Sequence, residues 1–124
     1  PTDAKRKALY HAAAVLASNV TTEVVALAQE VARLAGIPPE RFLPPILRAT
    51  VDNAVSALVS GMPIARTGPA SRGDNQTLQR HLAALALFPE LAERYRLLIS
   101  ALLVSDVRSD RSDRSTRPHS SELS

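Results

Sequence analysis

Apolar residues recur along most of this chain at intervals of three or four positions, which is the period of an α-helix with one apolar face. The first such stretch runs from Asp3 to Leu34 without proline or glycine, and Gly36 follows where a C-terminal cap belongs. At about 1.5 Å per residue this helix would be about 50 Å long, which exceeds the needs of a small core. Its apolar stripe consists of Leu9, Leu16, Val20, Leu27, Val31 and Leu34.

Three shorter helices are predicted after the first one. Their ranges are 39–60, 75–87 and 89–106. The predicted inner face of the third helix consists of Leu78, Leu82 and Leu85, and that of the fourth consists of Leu91, Tyr95, Leu98 and Leu102. The second helix begins at Pro39 or Glu40, and Pro44 and Pro45 either mark its true start or kink it. No segment alternates apolar and polar residues as a half-buried strand does. The sequence therefore predicts an all-α fold, a helical bundle with one long N-terminal helix.

The last segment, from Arg108 to Ser124, repeats Arg-Ser-Asp and has almost no apolar residues. Such a composition buries too little surface to order a chain, so we predict a folded domain at 1–107 and a disordered tail at 108–124. The net charge of the chain is +3, and the acidic residues of the tail offset most of its arginines. We expect no nucleic-acid partner, and an RNA-binding Arg/Ser tract is the alternative interpretation of the tail.

Several kinds of site and location are disfavoured by what the sequence lacks. Without cysteine, the chain forms no disulfide and no thiolate site. His11, His81 and His119 stand in three different segments without the spacing of metal ligands, so we expect no metal site. The longest strongly apolar run, 97–104, is shorter than the roughly 20 residues of a membrane span, and the first residues are polar and charged. We expect a cytoplasmic protein with no membrane partner.

The connection between the second and third helices is the most informative polar segment. It reads Thr-Gly-Pro-Ala-Ser-Arg-Gly-Asp over positions 67–74. Gly68 and Gly73 permit backbone angles closed to other residues, and Pro69 restricts itself and the residue before it. Arg72 offers a planar charged group to a carboxylate or phosphate, and Asp74 stands at the N-cap position of the third helix. This pattern predicts a stiff loop next to a helix start that favours anions.

Several of these segments together resemble a known protein family. They are Leu9-Tyr10-His11-Ala12-Ala13-Ala14-Val15-Leu16-Ala17-Ser18-Asn19, Thr50-Val51-Asp52-Asn53, the loop at 67–74 and His81-Leu82. The pattern is similar to the C-terminal helical domain of Rossmann-like oxidoreductases, a domain catalogued mainly as one of unknown function, and it covers residues 5–104. The resemblance implies a fold like the C-terminal domain of 6-phosphogluconate dehydrogenase, with ketopantoate reductase and pyrroline-5-carboxylate reductase among the relatives.

The resemblance also implies a role and a set of partners. In the related enzymes an N-terminal Rossmann domain binds NADP or NAD, and the helical domain supplies substrate-site residues and often the dimer interface. This chain has no Gly-x-Gly-x-x-Gly segment, so no cofactor is expected in the chain itself. We therefore expect a substrate-binding and dimerisation domain that forms a homodimer through the long helix, binds a small-molecule substrate and is inactive without a Rossmann domain.

Four site residues are predicted on the first two helices. Lys7 and His11 are four positions apart and project from one face. In the related enzymes a lysine and an asparagine at that spacing act on the substrate, and His11 takes the place of the asparagine. We predict His11 and Asn19, about 80° apart round a regular helix, as catalytic residues, with His11 as general acid. Lys7 and Asn53 are predicted to bind substrate. The alternatives are a solvated Lys7 and hydrogen-bonded structural roles for the other three.

The loop and the third helix contribute the remaining predicted substrate contacts. Thr67, Gly68 and Arg72 would hold an anionic substrate or the cofactor phosphates, and His81 would line the pocket beneath the loop. We expect one joint cleft, completed by a Rossmann domain, which is faced by His11, Asn19, Thr67, Arg72 and Asp74. In the alternative, Arg72 pairs with Asp74 to brace the loop, Asp74 caps the third helix, and His81 is a partly buried structural residue.

A different class of function fits the same sequence. A helix of this length has more apolar surface than a small core covers, and the excess surface takes a partner. The alternative function is therefore a non-catalytic helical module that works only by oligomerisation. Substitutions at His11 or Arg72 would have no effect on such a module.

Overall fold

The structure is a computed structural model that describes residues 1–69 and 71–114, with side chains at 1–69, 71–100 and 102. Its helices are α1 (Asp3–Val15), a π-helical turn (Leu16–Val20), α2 (Thr21–Leu34), α3 (Pro39–Ser60), α4 (Asn75–Leu85) and α5 (Pro89–Arg114). The described residues contain no strand, so the predicted all-α class is confirmed. The chain divides into two compact units, Pro1–Ile64 and Ala65–Ser124, each with its own helices.

In the first unit, α1, the π-turn and α2 form one continuous helix from Asp3 to Leu34, as the sequence predicts. At its end the N–H of Ile37 donates to the carbonyl of Ala32 at 3.1 Å, and the N–H of Gly36 donates to that of Arg33 at 3.0 Å. Gly36 has a φ of +69°. This is the Schellman arrangement, which satisfies the last carbonyls of a helix and favours glycine at the left-handed position. The predicted cap is confirmed.

The long helix is not regular throughout. Between Leu16 and Val20 its backbone widens into one π-helical turn. Two hydroxyls after the turn bond to its carbonyls: Thr21 Oγ1 donates to Leu16 at 3.3 Å, and Thr22 Oγ1 donates to Ser18 at 3.1 Å. A π-turn carries an extra residue relative to an α-helix, so side chains before and after it lose the ordinary angular phase. The apolar periodicity did not predict this irregularity.

The second helix of the first unit, α3, packs against α2. The buried residues here are Ala32 on α2 and Pro39, the first residue of α3. Proline suits the first helical position because its missing N–H has no intrahelical partner there. Since the helix begins at Pro39, Pro44 and Pro45 lie inside it rather than marking its start.

Much of the predicted apolar stripe of the long helix is exposed. Leu9 and Leu16 are 65% and 63% exposed, and α1 contains no buried residue. Further along, Leu27 and Val31 are half-buried. Apolar residues at helical spacing ordinarily pack against another surface. The first half of this stripe therefore faces solvent within the described part of the chain.

The long helix could also cross a membrane, judged by length and composition alone. It has 32 residues, and an 18-residue window within it has a mean hydropathy of 1.3 with no part buried. One such helix near the N-terminus is weak support for a span, because core helices and signal sequences share these properties. The absence of a membrane partner stays a prediction.

In the second unit, α4 packs against α5. Leu78 and Leu85 of α4 are only 4% and 6% exposed, and Leu82 between them is half-buried. These three residues are the inner face predicted for the third helix, which is thereby confirmed. On α5, Leu91 and Tyr95 of the predicted inner face are half-buried, whereas Leu98 and Leu102 are exposed.

Two helix ends in this unit differ from the prediction. α4 ends at Leu85 rather than at position 87, because the chain turns there towards Pro89, where α5 begins as predicted. α5 continues to Arg114 rather than to about 106, since no proline or glycine interrupts it before Pro118. It therefore includes positions 108–114, which were expected in the tail. The rest of the predicted disordered tail, 115–124, lies outside the described residues.

Candidate functional site

The first pair of predicted site residues, Lys7 and His11, lies on the exposed surface of α1. With Ala4, Ala8 and Tyr10 they line a hollow of about 500 Å³. The spacing of four positions does place the two polar side chains on one face, as expected. Because all five lining residues belong to α1, the hollow is open on its outer side. A second surface would have to close over any ligand held there.

The next predicted residue, Asn19, is exposed in the π-turn. Such turns inside α-helices frequently occur at functional sites. The expected offset of about 80° from His11 assumed a regular helix and is corrected by the π-turn. Because the wider turn advances less per residue, Asn19 lies nearer to the face of His11 than a regular helix would place it.

A groove between α2 and α3 was not predicted from the sequence. It has a volume of about 400 Å³ and is lined by Val25, Gln29, Pro39, Glu40, Leu43, Pro44, Leu47 and Arg48. Pro44 has no N–H, so the Glu40 carbonyl lacks the donor that a helix normally supplies. Asn53, the remaining predicted residue of the first unit, lies further along α3 and outside this lining. Prolines inside a predicted helix were the signal that could have indicated an irregular, accessible surface here.

The loop at 67–74 is held by its own backbone and by one hydroxyl. Ser71 Oγ donates to the Gly68 carbonyl at 3.0 Å, and the N–H of Asp74 donates to the Pro69 carbonyl at 2.9 Å. Gly68 has a φ of +96°, a conformation that residues with a side chain rarely adopt. These hydrogen bonds account for the stiffness predicted for this loop.

Two exposed side chains of this loop, Thr67 and Arg72, were predicted to contact substrate. The N–H of Arg72 donates to the Gly68 carbonyl at 3.3 Å, which fixes its backbone. The charge of its guanidinium helps to lower the pKa of Asp74. The loop thus presents an arginine at the start of α4, and anion binding there stays a prediction.

Asp74 is the N-cap of α4, which confirms the capping role considered for it. Its Oδ1 accepts from the N–H of Thr77 at 3.2 Å, and its Oδ2 accepts from the Thr77 hydroxyl at 2.7 Å. The bond from the Thr77 hydroxyl lowers the pKa of Asp74 below its ordinary 3.8, and the Thr77 N–H and the charges of Arg72 and Arg80 lower it further. Since both carboxylate oxygens are engaged, the geometry favours the cap over a substrate contact.

Replacing Asp74 by alanine is expected to fray the start of α4, because two donors on Thr77 lose their acceptor. Asp74→Asn is the matched control, since asparagine caps helices about as well without a charge. Folding lowers the pKa of Asp74, so its ionised form stabilises the folded state above pH 3.8, and this contribution is lost as the pH falls through the lower folded value. Urea unfolding followed by circular dichroism should give the wild type a larger free energy of unfolding than Asp74→Asn, and this difference should shrink below pH 3.8. A difference independent of pH would contradict this.

His81 is exposed on α4 and is joined to Tyr95 on α5. Its Nδ1 lies 2.6 Å from the Tyr95 hydroxyl oxygen, and the rings meet edge to face with centroids 5.8 Å apart. Burial raises the pKa of Tyr95 above its ordinary 10.0. The apolar pattern predicted Tyr95 only as part of the inner face of the fourth helix. Fourteen positions separate the two residues, so only the packing of α4 on α5 brings them together.

The predicted site residues divide between the two units. Lys7, His11, Asn19 and Asn53 belong to the first, and Thr67, Gly68, Arg72, Asp74 and His81 belong to the second. The structure brings Lys7 and His11 into one hollow, and the charge of Arg72 acts on Asp74 at the start of α4. The joint cleft expected from the sequence stays a prediction. Among the residues the structure describes, no group of three or more His, Cys, Asp or Glu is placed to hold a metal ion.

With this geometry in hand, the chain can be compared with known proteins. The model of a family described as a domain of unknown function (DUF2520) matches residues 1–102. The chain belongs to the DUF2520 family. No curated protein and no solved structure matches it.

The DUF2520 match spans both units and ends within α5. It therefore includes all nine predicted site residues and the His81–Tyr95 pair, and it stops before the Arg/Ser/Asp segment. The domain of unknown function expected from the resemblance is confirmed. The link from that domain to oxidoreductases stays a prediction.

Proposed function

We propose that this DUF2520 chain is the substrate-binding and dimerisation domain of an NAD(P)-dependent oxidoreductase-like protein. The exposed helix from Asp3 to Leu34 carries the proposal. It presents Lys7 and His11 around an open hollow, and it presents uncovered leucines at Leu9 and Leu16. One helix with both features can line a substrate cleft and a subunit interface at the same time.

The side chains around the hollow on α1 suit the reduction of a carbonyl or imine. In the proposed site, the imidazolium of His11 donates a proton to the oxygen or nitrogen on which negative charge develops. The ammonium of Lys7, on the same face, stabilises that charge. Asn19 offers an amide for orienting the substrate, and the π-turn brings it closer to the face of His11.

The loop at 67–74 suits an anionic group of the substrate. Arg72 provides a planar charged donor beside backbone held in place by Gly68. Thr67 adds an exposed hydroxyl. Asp74 opposes an anion at this helix start, so the proposed anion contact is through the Arg72 side chain rather than the amides of α4.

We expect no nicotinamide cofactor to bind this chain by itself. Its described part consists of helices and loops, without the strand, glycine-rich turn and helix that hold a dinucleotide. We therefore propose that a Rossmann domain is the partner that binds NADP or NAD and that closes over the hollow on α1. The proposed complex is a cytoplasmic homodimer acting on a small molecule.

The test is reductase activity of the protein expressed from its complete reading frame, with NADPH or NADH and a panel of small 2-oxo and imino acids. His11→Ala is expected to lower kcat/KM by about 100-fold, the usual range for loss of a general acid. Arg72→Ala is expected to lower it by about 30-fold through loss of a charged hydrogen bond. Arg6→Ala is the matched control, because Arg6 is an exposed cation of α1 outside the lining of the hollow. Wild-type kcat/KM in both site variants would show the assignment to be wrong.

A second candidate function is the non-catalytic oligomerisation module, which the exposed stripe of α1 favours. Under this alternative, no small 2-oxo or imino acid is turned over, and alanine at His11 or Arg72 leaves assembly unchanged. Charges introduced into the stripe would still abolish assembly. The two candidates are therefore separated by the same set of variants.

A further inference from the structure

The His81–Tyr95 pair is a polar contact that the proposed catalytic role of α1 does not use. Its hydrogen bond joins α4 to α5 at 2.6 Å, and the two rings are inclined at 76°. The pair combines a half-buried phenol with an exposed imidazole, so one member is shielded and the other is accessible to a ligand.

The chemistry of the two groups decides which one donates. A neutral imidazole has one donor nitrogen and one acceptor nitrogen, and the hydrogen bond made by one sets the role of the other. A phenol is a stronger acid than an imidazole N–H, and burial keeps the hydroxyl of Tyr95 protonated at neutral pH. Tyr95 Oη–H therefore donates to His81 Nδ1, and the proton of the neutral ring resides on Nε2.

The charges near this pair indicate the kind of ligand that it suits. On α4 and on α5 as far as residue 100, Arg80, Arg94 and Arg96 outnumber Glu90 and Glu93, and Arg96 pairs with Glu93. At the start of α4, the charge of Arg72 acts on the carboxylate of Asp74. Both oxygens of that carboxylate are engaged by Thr77. The local excess of positive charge favours an anion, and an Nε2–H donor requires an acceptor oxygen.

We propose that His81 and Tyr95 form a ligand-binding dyad for a small carboxylate that carries a carbonyl oxygen, such as a 2-oxo acid. His81 Nε2–H donates a hydrogen bond to an oxygen of the ligand. Tyr95 is a positioning residue, which holds the imidazole in that tautomer and orientation without touching the ligand. This inference rests on the proposed function, since it names the substrate class of that function.

The first test is the tautomer of His81 in the intact ¹⁵N-labelled chain at about pH 8, where an ordinary imidazole is neutral. Long-range ¹H–¹⁵N correlation should show a protonated Nε2 and an unprotonated, hydrogen-bonded Nδ1 at His81. Tyr95→Phe keeps the aromatic ring and should move the Nδ1 signal to that of a solvated acceptor. Ser100→Ala is the matched control, since it removes a hydroxyl from the same helix. A protonated Nδ1 at His81 in the wild type would overturn the proposal.

The second test is titration of the same chain with pyruvate, a small 2-oxo acid. The His81 Nε2 signal should shift with saturation, and Tyr95→Phe should weaken pyruvate binding about fivefold, as expected for one lost neutral hydrogen bond. His81→Ala should weaken it about tenfold, whereas Ser100→Ala should not change it. Circular dichroism of each variant verifies that α4 and α5 remain folded. Equal affinity in wild type and Tyr95→Phe would show that the hydrogen bond only ties two helices together.

The signals of His11 separate this inference from the proposed function. A pyruvate-dependent shift at His11 without one at His81 overturns the dyad and leaves the proposed function standing. A shift at His81 without one at His11 supports the dyad and contradicts the predicted role of α1. The absence of a shift at either histidine overturns both.

Discussion

Aspartate at both Leu9 and Leu16 is expected to dissociate the homodimer that we propose forms through the long helix. The two leucines are 65% and 63% exposed and lie seven positions apart on one face. Burial of a leucine side chain contributes about 1.5–3 kcal/mol, and two-fold symmetry makes each residue contribute twice. Replacing both by charged residues is therefore expected to raise the dissociation constant by about 1000-fold or more.

Sedimentation velocity over a range of protein concentrations measures this effect directly. The matched control is Ala14→Asp with Ser18→Asp, which adds the same two charges on the opposite, polar side of the helix. The control should remain a dimer. A wild-type chain that stays monomeric at the highest concentration would contradict the proposed dimer. A dimer that tolerates aspartate at both leucines would show that another surface forms the interface.

Leu78→Ala is expected to destabilise the second unit by about 2–5 kcal/mol, the usual cost of removing a buried leucine side chain. Leu78 is 4% exposed, and Leu85 is the other nearly inaccessible leucine among the described residues of this unit. Small units have little stability to lose, since whole domains are stable by only about 5–15 kcal/mol. The variant should therefore unfold α4 and α5 at much lower urea.

Leu87→Ala is the control for this prediction, because the same side-chain change is made at a position that is 85% exposed. Urea unfolding in a Tyr10→Phe background, followed by tyrosine fluorescence, reports on Tyr95 and hence on the second unit. Leu87→Ala should unfold within about 0.5 kcal/mol of the background protein. An equal effect of the two alanines would mean that Leu78 does not form the core of this unit.

The positions of the helices could be predicted because their signals are local. Gly36 and Gly61 end the first and second helices with φ of +69° and +68°, and glycine takes that conformation at little cost. Pro39 and Pro89 begin helices for an equally local reason. Proline has no N–H, and an N–H at the first helical position would have no intrahelical acceptor. Asp74 could be predicted as a cap because its donor, the N–H of Thr77, is only three positions away.

Features that depend on neighbouring turns or helices were missed. The π-turn at Leu16–Val20 could not be predicted from the apolar pattern. Alanines fill much of the helix around it, so the spacing of the larger apolar residues does not reveal one extra residue. Tyr95 has an apolar ring and fits an apolar stripe, so the sequence did not predict a partner for its hydroxyl. That partner, His81, comes from α4. The groove beside Pro44 likewise requires two helices, α2 and α3.

The sequence by itself determined the all-α class, the caps of the helices, the stiff loop at 67–74 and the shared face of Lys7 and His11. Each of these follows from backbone preferences or from spacing within one element. Leu78 and Leu85 are buried as predicted, but only the tertiary structure decided that Leu9 and Leu16 of the long helix are exposed and that Tyr95 bonds to His81. Apolar periodicity identifies a face that favours burial, but the surface that covers it comes from segments distant in sequence or from another molecule.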